Sequence, residues 1–85
     1  MNDQYRHIRV RLPDRKHSID FLVAEDPDFR DLCEDYDACV TALGYWTKSS
    51  EPEAETRVDE YRVLIQELEE EIVQALEALK SRRLD

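Results

Sequence analysis

Apolar residues recur at steps of three and four in two long stretches of this chain. The first set is Phe29, Leu32, Tyr36, Cys39, Leu43 and Trp46, and the second is Val58, Tyr61, Ile65, Leu68, Ile72, Ala75 and Leu79. That spacing lines each set along one side of an α-helix. Between them, Ser50-Glu51-Pro52-Glu53 has the form of a capping box with proline in the first turn. The pattern predicts helices over about 27–48 and 53–83, folded back on each other as an antiparallel hairpin. One register, centred on Pro52, sets Trp46 against Val58, Leu43 against Tyr61, Cys39 against Ile65, Tyr36 against Leu68, Leu32 against Ile72 and Phe29 against Ala75.

The residues before this hairpin read differently. Asp26 is placed to cap the first long helix, with Pro27 at its first position. Ser18 is placed to cap a short helix over about 19–25, carrying Ile19, Phe21, Leu22 and Val23, which can cover Leu76 and Leu79. Residues 5–12 alternate, with Ile8, Val10 and Leu12 on one side and His7, Arg9 and Arg11 on the other. Period two predicts a half-buried strand, and a helix over 4–12 is its rival. A lone strand has no partner within the chain, so it would pair with a second copy or lie as an extended arm. Residues 1–4 read as a frayed start, and Gly44, the single glycine, as a place where the last turn of its helix loosens.

The expected fold is therefore all-α. A two-helix hairpin domain over 18–85 follows a basic arm over 1–17, for which a strand is one reading. A chain of 85 residues is one domain at most, and a hairpin of this size has a small core. Such folds usually borrow stability from disulfides, metals or a second copy. Cys33 and Cys39 lie six residues apart on one predicted helix, roughly 9 Å along its axis, too far for a bridge. Self-association remains. Cys33, Val40, Val63, Leu64, Val73 and Leu76 fall outside the seam, and Val40, Leu64 and Leu76 in particular mark flanks on which a second hairpin would pack as a four-helix bundle dimer.

Charge divides the chain. Residues 1–17 carry five basic side chains against two acidic, and residues 18–85 seven against nineteen, giving +3 and −12 within a net −9. An acidic body argues against general nucleic-acid binding, which needs a basic face. Arg6, Arg9, Arg11, Arg15 and Lys16 are nonetheless the candidate contacts of a nucleic-acid-associated regulator. The simpler expectation is that the basic arm folds back on its own acidic body. A third reading is an adaptor whose acidic hairpin docks on a basic protein.

Catalytic chemistry finds no scaffold in the pattern. His7, His17, Cys33 and Cys39 have no zinc-site spacing, and the two cysteines project about 120° apart. One glycine cannot build a phosphate-binding loop. Two packed helices offer no cleft to perturb a carboxylate. No enzyme activity, cofactor or metal is expected. Met1 to Leu12 has no apolar leader core, and no apolar run approaches the length of a membrane span, so the expected location is the cytoplasm.

Phe21-Leu22, Asp26-Pro27-Asp28-Phe29-Arg30-Asp31-Leu32, Tyr36, Val58 to Tyr61, Leu64, Leu68 and Glu71-Ile72 together resemble the YdcH-like family. These are small bacterial helical-hairpin proteins without an assigned biochemical activity. The resemblance covers roughly residues 19–79. It implies the hairpin fold and a bacterial cytoplasmic setting, and it carries no catalytic residues. The chain departs from the family at Gln66-Glu67-Leu68-Glu69-Glu70-Glu71, where lysines are typical, and in the basic arm before Ser18.

Overall fold

Asp26 turns the chain from one helix into the next. Its extended backbone precedes Pro27, and its carboxylate accepts from the amides of Asp28 at 3.0 Å and Phe29 at 3.3 Å. Those amides have no partner inside the helix, which is why a carboxylate is favoured there. The computed structural model describes residues 5–83. Helix α1 spans Arg6–Arg11, a 3-10 turn follows over Pro13–Arg15, and α2 spans Lys16–Glu25. Two long helices complete the chain, α3 over Pro27–Lys48 and α4 over Ala54–Arg83. The fold is all-α, with no strand among the described residues. The reading of residues 1–4 lies outside them.

The alternating segment is helical, which corrects the strand and the extended arm. Tyr5, Ile8 and Leu12 also satisfy a helical spacing, and that periodicity wins. Ile8 is fully buried, whereas Val10, which period two would bury beside it, is 70% exposed. A helix satisfies its own backbone, while a lone strand cannot. The start of α1 is tied down from α3: the His7 amide donates to Asp37 Oδ1 at 3.3 Å. Tyr5 enters through the left-handed region at φ 61°, which costs a non-glycine residue about 1–2 kcal/mol. Burial of its ring and a 3.3 Å hydrogen bond from its hydroxyl to Glu34 Oε2 offset that strain.

Two further capping expectations are corrected. Ser18 lies inside α2, which starts at Lys16 directly from the 3-10 turn. At the other connection the hydroxyl that bonds is Ser49's, accepting from the Glu51 amide at 3.1 Å, and Ala54 N–H donates to Glu51 O at 3.0 Å. The turn is thus closed one residue earlier than a capping box at Ser50 requires. Gly44 does not loosen α3, which runs on to Lys48.

Helix α3 packs along α4, and α1 and α2 both pack against α3, α2 reaching α4 as well. Contacts across the long pair run from Trp46 and Arg57 near the connection to Tyr36 and Glu69 farther back. The core gathers Tyr5, Ile8, Ile19 and Leu22 from the first elements with Phe29, Cys33 and Tyr36 of α3 and Ile72, Leu76 and Leu79 of α4. Cys33 and Leu76, expected outside the seam, are therefore central, while Leu32 and Cys39 are half-buried. The physical reason is the third layer. Helices α1 and α2 cover the flank that carries Cys33 and Leu76, so burial on α3 and α4 turns toward that flank.

Candidate functional site

The basic arm lies on its own chain. Arg9 pairs with Asp20, Arg11 Nη2 lies 3.1 Å from Glu69 Oε1, and Arg15 pairs with Glu77. Arg11 Nε also donates to Glu69 Oε2 at 3.2 Å, and the Tyr36 hydroxyl donates to that same oxygen at 2.9 Å. Hydrogen bonding and charge from Arg15 hold the Glu77 carboxyl below its ordinary range. The pairs are exposed enough that each contributes little alone. Their consequence is geometric: three of the five arm cations are engaged within the chain. Arg6 and Lys16 face solvent.

The three apolar candidates separate. Leu76 is 1% exposed, inside the chain's own core. Val40 is half-buried against that core. Only Leu64, 44% exposed, stands on open surface.

Leu64 belongs to an open groove of about 340 Å³ between α3 and α4, floored with Cys39 and Leu68 and edged by Asp35, Glu67 and Glu71. Glu69 and Glu71 are two residues apart on α4, a rotation of about 200° around a helix axis. The groove therefore lies on the side of the hairpin opposite the arm.

The connection end carries a different surface. Tyr45 and Trp46 meet edge to face, with ring centroids 5.0 Å apart at 83°. The Arg57 guanidinium stands 6.0 Å from the Trp46 ring centroid. Between residues 37 and 71 Ala54 is the only buried residue, and the seam residues Leu43, Trp46, Val58 and Tyr61 are only half-buried.

Neither thiol is activated. Burial, reinforced by the charge of Asp37, pushes the Cys33 thiol up to about 12, and burial with the charge of Asp35 raises that of Cys39. The thiolate is the reactive form, so both are poor nucleophiles near neutrality. Among the described residues no three His, Cys, Asp or Glu side chains are grouped to hold a metal ion. None of the helices, over those residues, is long and apolar enough to cross a membrane.

Sequence reasoning named the arm's cations but not their receptors. Glu69 and Glu77 sit eight residues apart on α4, and Arg11 and Arg15 four apart before α2. The pairs are 58 and 62 residues apart in sequence, and no local spacing signals them. Compared with protein-family models, with curated proteins and with solved structures, the chain matches none.

Proposed function

We propose that this chain is a non-catalytic helical hairpin that self-associates and acts through protein–protein contacts. The observation that carries the reading is the incomplete burial of the connection half. There the seam has two helices and no third layer, so Leu43, Trp46, Val58 and Tyr61 keep one side wet. Two such halves packed side by side as a four-helix bundle would complete that burial. Charge permits it: residues 40–65 carry three basic side chains against five acidic, a mild balance in a chain of net −9. The resemblance to the YdcH-like family supports the hairpin fold, and the apolar pattern supports a register centred on Pro52. Membership of that family, and the bacterial cytoplasm as its setting, belong to the same proposal.

Nucleic-acid-associated regulation through the arm has less support. Phosphate binding would compete with carboxylates that already hold Arg9, Arg11 and Arg15. Sedimentation equilibrium of the full chain across the micromolar range tests the leading reading. A dimer is expected, and a fully helical monomer at every concentration overturns it.

A further inference from the structure

The arm shows what a side of this hairpin accepts. Helix α1 is short, basic and amphipathic. It lays Ile8 into the core beside Tyr5, which precedes it, and Arg9 and Arg11, with Arg15 of the following turn, reach carboxylates on α2 and α4. The opposite side offers the same combination uncovered. Leu64, Leu68 and the half-buried Cys39 form an apolar floor, and Asp35, Glu67 and Glu71 stand along its edges. None of these three carboxylates is paired with a cation among the described residues.

We propose that this groove is a docking site for a basic amphipathic helix of another protein, bound as α1 is bound on the far side. Charge selects the occupant. The lining of the groove holds three acidic side chains, Asp35, Glu67 and Glu71, and no basic one. A second copy placed here about a two-fold axis would set these carboxylates against their own equivalents, which like-charge repulsion disfavours. A cationic helix meets complementary charge instead. Length also fits. Glu67 and Glu71 are one turn apart, and Leu64 to Glu71 spans about 10 Å of helix axis. That accommodates two turns of a partner, with apolar residues at i and i+4 on the floor and Lys or Arg beside them. The groove adjoins the half-buried seam proposed for self-association but does not use Leu43, Trp46, Val58 or Tyr61, and peptide binding and sedimentation report on the two proposals separately.

The test uses the full chain and a fluorescein-labelled Leu/Lys peptide patterned as an amphipathic helix, with a Leu/Glu peptide of the same pattern as control. Fluorescence anisotropy should show saturable binding of the Leu/Lys peptide that weakens with salt, and none of the control. The double variant Glu67→Lys, Glu71→Lys changes two exposed positions and should weaken binding by about tenfold or more. The variant Glu55→Lys, Asp59→Lys makes the same charge change outside the groove and should weaken it far less. Circular dichroism confirms that both remain helical. The peptide should also slow reaction of Cys39 with a thiol reagent, while the buried Cys33 stays silent. Absence of binding, equal weakening by the two double variants, or unprotected Cys39 in the saturated complex overturns the proposal. So does a self-association that Glu67→Lys, Glu71→Lys alters while no peptide binds, because the occupant is then a second copy. A monomer that binds the peptide upholds this site and removes the dimer.

Discussion

The hydroxyl of Tyr36 donates to Glu69 Oε2 at 2.9 Å, and this one contact joins three helices, because the same carboxylate holds Arg11 of α1. Tyr36 is buried in α3 and Glu69 half-buried on α4. Tyr36→Phe keeps the ring and deletes the donor. A hydrogen bond to a charged acceptor contributes about 1.5–3 kcal/mol, and partial exposure of Glu69 places the expected loss near the lower end. Urea unfolding of the variant against the parent chain measures it, and an unchanged midpoint would refute the tie.

The third layer makes a distinct demand on α4. Leu76→Ala should destabilise by about 2–5 kcal/mol, as buried large-to-small changes do. Val63, 56% exposed, should tolerate alanine within about 0.5 kcal/mol. Equal thermal shifts for the two variants would contradict the burial of Leu76 in the core.

Gly44 lies inside α3 without a positive φ, and a Cβ there meets nothing within 4 Å. Glycine in a helix interior costs about 0.5–1 kcal/mol relative to alanine. Gly44→Ala should therefore stabilise the chain by that amount, read as a rise in the urea midpoint.

Asp26→Ala removes the acceptor for the first two free amides of α3. The expected loss is about 0.5–2 kcal/mol. Asp26→Asn keeps a side-chain oxygen and should recover most of it, and failure of asparagine to do better than alanine in thermal melts would assign the effect elsewhere.

Alkaline pH should unfold this protein before it affects a helix without buried acids. Burial pushes both the Cys33 thiol and the Tyr36 hydroxyl up to about 12, the latter aided by its bond to Glu69. The folded state holds these protons more tightly than the unfolded chain, whose groups titrate near their ordinary values of about 8.5 and 10. Stability is thus fully present below about pH 8.5 and declines as pH rises toward the folded values. Melting temperatures measured from neutral to strongly alkaline pH should fall along that window, and the fall should be shallower in Cys33→Ala.

Periodicity over Phe29 to Trp46 and Val58 to Leu79 was enough to read two long helices, because helical burial repeats locally and leaves its period in the chain. Asp26-Pro27 marked the start of α3 for the same reason: a cap and its amides lie within three residues. Residues 5–12 were ambiguous because Ile8 and Leu12 satisfy either period, and only the neighbour decides which side is buried. Here that neighbour is the flank of α3 and α4 bearing Cys33 and Leu76, so α1 is a helix, Val10 turns outward, and two residues set aside from the seam enter the core. The arm's arginines were legible as a charge cluster, but their carboxylates at Glu69 and Glu77 lie 58 and 62 residues away in sequence. Local pattern determined the helices and where α3 begins. Tertiary packing alone decided which flank is covered and which carboxylates remain open, because both depend on long-range contacts that leave no period in the sequence.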